Sequence, residues 1–503
     1  MVQWEPIALD RNSEEPLYLQ ICVRIRARIA SGELAPGEKL PPSRDLAALL
    51  GINRNTIANA YDELVKTGDV RSHVGQGTFV AGSFPDPERA SFRYRFSRAV
   101  EASADLVRPA AALPSDTSDV IDFASLVPDE DLFPVEPFRR VLDLVLRHEG
   151  KKLLQYGPTA GHPPLRAYIA ERLRRRGVVA DAENVLIVNG SQQALDLISR
   201  GFLDPGDRVV VESPTYTIIL PLLAQYHAQI DPIPMTDRGM DLVALETALA
   251  RSRPKLIFTM PTFHNPTGIT MDLESRRRLL ELALRHGTPV VEDDFDSDLR
   301  FDGDALPPLK ALDDRDAVLH IGTFSKGLFP GLRLGWIVAP RPVVETLGRS
   351  KLISDYHTSL LLQAAVYEFC RAGHYDRHLK RLASIYREKS RTLTRALERF
   401  FPRGVGWTRP EGGYAYWITL PESLSAEELL EESVKAGVVF TPGSFFFARG
   451  GGDRFLRLSI SRVPLARIEE GIEKLGRVLA RYGQGRREKG RAPALEHEAA
   501  LHI

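Results

Sequence analysis

The sequence has few cysteines, no net charge and no long apolar run, and each absence excludes a class of protein. Only Cys22 and Cys370 occur among 503 residues, which is too few for a disulfide framework and typical of a reducing compartment. Lysine plus arginine equals aspartate plus glutamate, 66 each, so any contact with nucleic acid must be local. No apolar stretch approaches the roughly 20 residues that span a bilayer, and the opening lacks the pattern of a signal peptide. We therefore expect a cytoplasmic protein without membrane association.

Four stretches of the chain differ in composition. Residues 1–82 form a compact domain, and residues 83–118 mix proline, alanine, serine and charge without any period, which suits a linker. Residues 119–482 alternate short apolar runs with helical periods, as a large α/β domain does. Residues 483–503 are charged and rich in small residues, so we expect a disordered tail.

The first domain has the pattern of three helices followed by a hairpin. The segment PLYLQICVRIRARIASG predicts the first helix, and Ser43 is placed to cap the second. Asn53 can cap a third helix, Arg54 to Lys66, before VRSHVGQGTFVAG gives two short strands. Four residues of the third helix share an inner face: Ile57, Ala60, Tyr61 and Leu64. This order predicts an α+β winged helix-turn-helix.

A winged helix of this kind suits DNA binding. Arginine and asparagine at the N-terminal end of a recognition helix can contact guanine and adenine edges. The alternative is a winged helix used for protein contact, with Arg44 and Arg54 as solvated charges. The segments PLYLQI, LAPGEKLPPSRDLA, GINRNTIANAYDEL and GQGTFV resemble the GntR family. That resemblance implies DNA contacts from Arg44, Asn53, Arg54, Asn55, Thr56, His73, Gly75, Gln76, Gly77 and Thr78.

Five short apolar runs of the large domain each lead into a polar cluster. The pairs are ENVLIV with NGSQQ, DRVVV with ESPTY, KLIFTM with PTFHNPTG, PVV with EDDFDSD, and AVLHI with GTFSKG. Such runs, with helices between them, are typical of a mostly parallel sheet covered on both faces. Because ligands bind outside the carboxyl ends of these strands, we expect the clusters to converge on one crevice.

Two of the clusters have the chemistry of a phosphate site. Ser191, Gln192 and Gln193 stand where a helix begins, so backbone N–H groups and a hydroxyl are available to an anion. Ser325 and Arg333 add a second hydroxyl and a guanidinium, whose planar fork fits phosphate. We therefore expect this end of the crevice to hold a phosphate group.

The remaining polar residues suit an aromatic ring that bears an aldehyde. Tyr216 offers a flat face, Asn265 can bond a phenolic oxygen, and the buried carboxylate of Asp293 needs a cation such as a protonated ring nitrogen. Lys326 is an amine that can form a Schiff base. Phosphate, ring, ring nitrogen and aldehyde together describe pyridoxal 5'-phosphate, with Lys326 as the catalytic residue.

Other interpretations of these residues are weaker. Lys326 could lie on the surface, Asp293 could cap a helix and Arg333 could form an ordinary ion pair, but five strand ends would then mimic one site by accident. A calcium loop counted from Asp294 lacks the required glycine and glutamate, so no metal is expected. No G-x-G-x-x-G follows a strand, which argues against a dinucleotide site.

The large domain resembles fold-type I aminotransferases over most of residues 119–482. The motifs that carry the resemblance are YGPTAGHPPLR, GSQQAL, SPTY, HNPTG, EDD, TFSKGLFPGLRLG and FLRLSIS. It implies an α/β fold with a smaller C-terminal α+β subdomain, and a homodimer with shared active sites in which Tyr156 reaches the neighbouring subunit's phosphate. It also implies that Arg457 holds a substrate carboxylate, the alternative being a structural ion pair.

One position departs from the aminotransferase pattern. After EDD the family commonly supplies a tyrosine whose hydroxyl bonds the phenolic oxygen of the cofactor, and here we assign that position to Phe295. The resemblance then leaves Asn265 alone at that oxygen. We expect cofactor binding to persist and transamination to be weak or absent.

A GntR-type domain joined by a long linker to an aminotransferase-like domain resembles the MocR family of transcriptional regulators. The resemblance implies a dimeric regulator that binds repeated DNA half-sites and senses an amino acid, an amine or pyridoxal phosphate itself. Two alternatives remain open. One is a working aminotransferase whose N-terminal module is auxiliary, and the other is a non-catalytic scaffold in which Lys326 stays unmodified.

Overall fold

The computed structural model describes residues 9–81 except 12, 14, 32, 36 and 74–76, then 96–107 except 105, and 119–489. The chain divides into two compact units, Met1–Arg95 and Phe96–Ile503. Most of the predicted linker 83–118 and residues 490–503 of the predicted tail lie outside the described residues.

The first unit has the predicted winged helix-turn-helix order. Its helices are α1 (Leu17–Ala30), α2 (Ser43–Leu50) and α3 (Arg54–Lys66), and its strands are β1 (Val70–His73) and β2 (Gly77–Val80). The strands pair antiparallel, with Val70 opposite Val80 and His73 opposite Gly77. The predicted inner face of α3 is confirmed, since Ile57, Ala60, Tyr61 and Leu64 are all buried.

Of the two predicted helix caps in this unit, one is confirmed and one is wrong. The side chain of Asn53 accepts a hydrogen bond from the backbone N–H of Asn55 at 2.9 Å and so caps α3. Ser43 does not cap α2, because it is already the first helical residue and Pro42 occupies the cap position. The fixed φ of Pro42 suits the extended backbone that precedes the helix.

The second unit contains strands and helices in alternation. Its strands are β3 (Ile121–Asp122), β4 (Val185–Val188), β5 (Arg208–Ser213), β6 (Gln229–Thr236), β7 (Gly239–Met240), β8 (Leu256–Thr259), β9 (Val290–Asp294), β10 (Val318–Thr323), β11 (Gly335–Val338), β12 (Gly406–Trp407), β13 (Ala415–Thr419), β14 (Val438–Val439), β15 (Thr441–Pro442) and β16 (Phe455–Ser459). Its helices are α4 (Arg98–Ala104), α5 (Val135–Leu153), α6 (Pro163–Arg174), α7 (Ser191–Phe202), α8 (Ile219–Gln225), α9 (Leu242–Ser252), α10 (Leu273–His286), α11 (Leu309–Leu312), α12 (Arg341–Asp355), α13 (Leu360–Arg371), α14 (His374–Phe400), α15 (Ala426–Lys435) and α16 (Leu465–Lys489).

The central sheet has eight strands in the order β4-β11-β10-β9-β8-β5-β6-β7. All five apolar runs identified in the sequence are strands of this sheet, namely β4, β5, β8, β9 and β10, and four of them are completely buried. β10, β9, β8, β5 and β6 run parallel, whereas β11 and β7 pair antiparallel with their neighbours. The prediction of a mostly parallel sheet is confirmed.

A smaller α+β region follows the central sheet, as the resemblance implied. Strands β12, β13, β16 and β15 form an antiparallel sheet, and α14 packs against α16 beside it. β3, at the start of the large domain, pairs with β14, with Ile121 opposite Val438. Both ends of the large domain are therefore built into one region.

Two helices extend beyond the expected boundaries. α4 lies inside the predicted linker and packs against α8, and α16 continues to Lys489, past residue 482 where we placed the end of the domain. Among the described residues, no helix combines the length and apolar character needed to cross a bilayer.

The core of the first unit can be tested by shortening one buried side chain. Leu64 is 0% exposed, so Leu64→Ala should destabilise this unit by about 2–5 kcal/mol, because it leaves a cavity. Hydrogen exchange of the amides of residues 54–66 in the full chain measures the loss. The neighbouring Val65, 40% exposed, is the control, and Val65→Ala should cost less than about 0.5 kcal/mol. Equal losses in the two variants would contradict the packing described here.

Candidate functional site

The polar clusters meet in one cavity of about 290 Å³ outside the carboxyl ends of the central strands. We call it the cofactor cavity. Ten of the residues predicted from the sequence line it: Ser191, Gln192, Tyr216, Asn265, Asp293, Phe295, Ser325, Lys326, Arg333 and Arg457. The side chains of Leu126, Val127, Thr217, Met260, Thr323 and Pro330, which sequence reasoning did not select, complete the lining.

One end of the cofactor cavity is built for an anion. α7 begins at Ser191 after Gly190, whose φ of +81° is in the left-handed region. Arg333 lies across from this helix start and donates from Nη2 to the carbonyl of Asn189 at 3.1 Å. A Cβ on Gly190 would lie 2.7 Å from Arg333 Nη2, so only glycine lets the guanidinium approach this closely. Ser325 adds its hydroxyl, 2.9 Å from that of Thr323.

Asp293 is a buried carboxyl group that forms no salt bridge with any residue that the structure describes. It lies on β9, is 8% exposed, and its Oδ1 atom has no hydrogen-bond partner. Its neighbours are already paired, since Arg176 contacts Asp294 at 2.7 Å and His320 contacts Glu292 at 2.9 Å. Burial, followed by the charge of Asp294, raises the pKa of Asp293 to about 7. A cation inside the cavity would lower that pKa again.

Lys326 extends from the loop after β10 into the cavity. Its Nζ atom donates to the backbone carbonyl of Leu126 at 2.7 Å. Burial lowers the pKa of Lys326 to about 8, although the nearby carboxyl of Asp296 raises it. The contact with Leu126 could not be found from the sequence, because a backbone carbonyl 200 positions away carries no residue-type signal.

Arg457 on β16 is a buried guanidinium. Nη1 donates to Asn265 Oδ1 at 3.0 Å, while Nη2 donates to the Ala124 carbonyl at 2.5 Å and to Thr441 Oγ1 at 3.1 Å. Among the described residues its Nε atom has no hydrogen-bond partner and no carboxylate forms a salt bridge with it. Burial lowers the pKa of Arg457 to about 10. The carboxylate of Asp122 raises that pKa through charge alone, since it accepts from the backbone N–H groups of Ala124 and Ser125. The structural ion pair considered above is therefore absent from the described part of the chain.

The segment after β9 presents a phenyl ring to the cavity. Phe295 is 7% exposed and supplies no hydroxyl group there. The next residue, Asp296, is also buried, its Oδ1 atom has no hydrogen-bond partner, and burial raises its pKa well above the usual range. Sequence reasoning missed Asp296, because DDFDSD contains several carboxylates and nothing in the pattern shows which of them are buried.

Two predicted cofactor residues do not line the cavity. The Gln193 side chain accepts from the Asn189 backbone N–H at 2.7 Å and donates to Asp355 at 2.8 Å, so it braces the helix start. Tyr156 is 80% exposed, and its ring lies 5.4 Å from that of Tyr356. The contact predicted for Tyr156 is with the phosphate in a neighbouring subunit, so a single chain does not test it.

The predicted DNA-binding residues of the first unit are mostly exposed. Arg44, Asn53, Arg54 and Asn55 are exposed at the start of α2 and α3, and Thr56 is half-buried. Arg44 Nε contacts Asp45 at 3.0 Å. In the wing, Gly77 and the half-buried Thr78 begin β2. Gly75, Gln76 and the side chain of His73 lie outside the described residues.

Comparison with known proteins identifies both units. The profile of aminotransferase class I and II matches residues 118–475, and that of bacterial regulatory proteins, gntR family, matches residues 17–80. The protein of Rhizobium meliloti named "Probable rhizopine catabolism regulatory protein MocR" is 34% identical over 472 residues, covering 93% of this chain and 95% of that protein. The chain is a MocR-type member of the class I and II aminotransferase family.

Aminotransferases without the N-terminal unit are similar to this MocR-type chain as well. Aromatic-amino-acid aminotransferase 1 of Thermococcus litoralis is 38% identical over 393 residues, or 77% of this chain and 94% of that protein. The structure of Pyrococcus horikoshii kynurenine aminotransferase superposes with a TM-score of 0.71 and 36% identity, over 80% of this chain and 99% of that one. The structure of the Thermus thermophilus α-aminoadipate aminotransferase LysN superposes with a TM-score of 0.70 and 36% identity, over 78% of this chain and 98% of that one.

The family is dependent on pyridoxal 5'-phosphate, and the MocR-type cavity fits that cofactor. Asp293 has an unsatisfied buried oxygen where a ring nitrogen would supply a proton, and Gly190 leaves room for Arg333 beside the helix start. Lys326 supplies the amine for the aldehyde, and Tyr216 supplies an aromatic face.

The phosphate end can be tested with a matched pair of glycines. Gly190→Ala introduces a Cβ that clashes with Arg333 and strains a positive φ, so it should weaken cofactor affinity at least about tenfold. Gly206 also has a positive φ, but nothing lies within 4 Å of its Cβ position. Gly206→Ala should therefore introduce the same backbone strain and leave the affinity for pyridoxal phosphate unchanged. Titration of the cofactor-free protein with pyridoxal phosphate distinguishes the two, and equal affinities would contradict the assigned role of Gly190.

The buried carboxyl of Asp293 should make the cofactor-free protein sensitive to pH. Burial raises its pKa from 3.8 to about 7, so the folded protein binds a proton that the unfolded chain has lost. This stabilisation is fully present below pH 3.8 and is lost as the pH rises to about 7. Relative to Asp293→Asn, the wild type should thus lose stability across this range in urea unfolding. Substitution of the exposed Asp237 by asparagine is the control, and parallel pH profiles would contradict the assignment.

Proposed function

We propose that the chain is a cytoplasmic transcriptional regulator whose DNA affinity depends on a small molecule bound at Lys326. The main support is one combination. A cavity lined by the amine of Lys326, the carboxyl of Asp293 and the guanidinium of Arg457, none of which forms a salt bridge with a described residue, occurs in a chain that also carries a GntR-family domain. An amino acid or amine is the proposed effector, since it can react at the same place as the lysine amine. Pyridoxal phosphate itself is the other candidate effector.

The cavity residues have separate tasks in this proposal. Ser191, Ser325 and Arg333 hold the phosphate, Asp293 holds the ring nitrogen and Asn265 holds the phenolic oxygen. When bound, the cofactor would supply an aldehyde that condenses with amines and a pyridine ring that withdraws electrons from the attached amine. The lowered pKa of Lys326, about 8, increases the neutral fraction of the amine that attacks an aldehyde.

Arg457 is the proposed carboxylate-binding residue. Its Nε atom is unpartnered, and its other nitrogens are held by Asn265, Ala124 and Thr441, so the fork is already oriented. A buried guanidinium that forms no salt bridge with a described residue favours an anionic ligand, because the ligand charge offsets the cost of burial. We therefore expect the effector to carry a carboxylate.

Assembly and DNA contact complete the proposal. The exposed Tyr156, which lies beside the exposed Tyr356, is suited to contact a second subunit, and a dimer would bring two winged helices to repeated half-sites. Arg44, Asn53, Arg54, Asn55 and Thr56 are the proposed contacts from the helices. His73, Gly75, Gln76, Gly77 and Thr78 are the proposed contacts from the wing.

The second candidate function is a working aminotransferase with an auxiliary N-terminal unit. The 38% identity to an aromatic-amino-acid aminotransferase and the unpartnered Nε atom of Arg457 favour it. Phe295 opposes it, since a phenyl ring cannot donate to the phenolic oxygen. The phenyl ring leaves cofactor binding intact in this proposal and lowers turnover.

Two measurements on the full chain distinguish the candidates. Gel-shift titration on the DNA upstream of the chain's own coding sequence, with and without pyridoxal phosphate, should show cofactor-dependent binding. Turnover with a panel of amino and keto acids should be slow. Rapid turnover without specific DNA binding would overturn the regulator in favour of the enzyme.

The attachment site has its own test. Borohydride reduction of the cofactor-loaded protein, followed by peptide mass mapping, should place the cofactor on Lys326, and Lys326→Ala should lose both the mass addition and the visible absorption. Lys310→Ala is the control, because Lys310 is also buried, pairs with Asp313 at 2.9 Å and does not line the cofactor cavity. An unmodified Lys326 in the wild type would favour a non-catalytic scaffold.

A further inference from the structure

A second cavity of about 400 Å³ adjoins the cofactor cavity, and we call it the side cavity. The two share Thr217 and Arg457 in their linings, so a ligand held by the guanidinium of Arg457 can extend from one into the other. The volume lies within the range of roughly 300–1,000 Å³ that small-molecule sites have in proteins. Nothing in the tasks of the cofactor residues accounts for this space.

The lining of the side cavity is mostly apolar. Ile218, Val439, Phe440, Phe445 and Phe446 contribute aliphatic and aromatic surface. Of the described residues in the lining, Arg457 and Asp122 carry the only charges, and Arg457 is already assigned to a carboxylate. Since no second cation is present there, a ligand with an acidic side chain would be disfavoured, and one with an apolar side chain would bury its surface.

Two residues of the linker region also line the side cavity. Leu106 and Val107 lie two and three positions beyond the end of helix α4, and their backbone N–H groups donate to the carbonyls of Ser103 and Ala104 at 3.2 Å each. Their side chains are 48% and 54% exposed, so each is covered on only one part of its surface. A ligand in the cavity would cover more of both.

Helix α8 connects this segment to the cofactor site. Tyr216, which lines the cofactor cavity, is followed by Thr217 and Ile218 of the side cavity and then by α8. α4 packs against α8, although no residue of α4 is fully buried. Because α4 buries so little surface, its docking contributes little free energy, and a modest added contact can change how often it is docked.

We propose that the effector is an α-amino acid with an apolar side chain, and that this side chain fills the side cavity and holds Leu106 and Val107 in place. This inference rests on the proposed function, since it assumes that the effector's carboxylate binds Arg457 beside the cofactor. The ligand stabilises the docked form of α4 because it contacts Leu106 and Val107 only in that form. Ligand binding is thereby transmitted to the linker that leads to the DNA-binding unit.

The test uses the full chain loaded with pyridoxal phosphate and four probes. L-phenylalanine and L-norleucine carry apolar side chains long enough to enter the side cavity in the proposed binding mode. The methyl group of L-alanine is too short to enter it, and L-glutamate would place a charge there. Affinity is measured from the change in cofactor absorption, and docking of α4 from hydrogen exchange of the amides of residues 98–107. We expect phenylalanine or norleucine to bind about tenfold more tightly than alanine or glutamate, and to slow exchange in that segment.

A double variant and a matched control separate the linker contact from general damage. Leu106→Ala/Val107→Ala should weaken binding of the apolar probes about fivefold to tenfold, leave alanine unchanged and abolish the protection of residues 98–107. Val100→Ala removes an exposed apolar side chain of α4 that does not line the side cavity, and it should leave all of these values unchanged.

Failure of the inference and failure of the proposed function give different results. A wild-type protein with normal cofactor absorption that binds phenylalanine no better than alanine, or prefers glutamate, would overturn the inference alone. So would apolar probes that bind the double variant as tightly as the wild type. Absence of cofactor absorption after loading would overturn the proposed function and the inference with it.

Discussion

The structure depends on a carboxyl group and a guanidinium that line one cavity and form no ion pair with each other. Asp293 is the next-to-last residue of the central strand β9 and Arg457 lies in the smaller sheet, and each has a side-chain atom without a hydrogen-bond partner among the described residues. A direct ion pair would satisfy both and leave no site. Their separate supports prevent it, since Asn265, Ala124 and Thr441 hold the guanidinium, while Arg176 and His320 are paired with other carboxylates. The carboxyl of Asp293 and the guanidinium of Arg457 therefore each remain available to a ligand group of opposite charge.

This arrangement explains why one fold suits both enzymes and regulators. In the proposed function, the cofactor and an amino acid bind the cavity together, whether or not the amino acid is converted to product. The phenyl ring at position 295 lines the cavity but offers no hydroxyl group. A regulator needs a ligand to bind and to shift an equilibrium, so loss of catalytic efficiency costs it little.

Much of the site was predictable because parallel strands end at the same edge of a sheet. The polar residues after β4, β5, β8, β9 and β10 had to converge once those runs were identified as neighbouring strands, and ten of the predicted residues line the cavity. Gln193 has the right residue type and position, yet its rotamer directs it to Asp355. The carbonyl of Leu126 and the burial of Asp296 depend on how distant loops pack, which no local pattern encodes. Ser43 shows the same limit at a helix end, where a single position decides whether a serine caps a helix or begins it.

The contact between Arg457 and Ala124 joins residues 333 positions apart. Because β3 likewise pairs with β14, the smaller region cannot assemble until nearly the whole chain has left the ribosome. The winged helix is complete by residue 80 and has a core of its own, so it can fold while the rest is still being made. The GntR-family unit can thus reach its folded state before the aminotransferase-like unit has been synthesised.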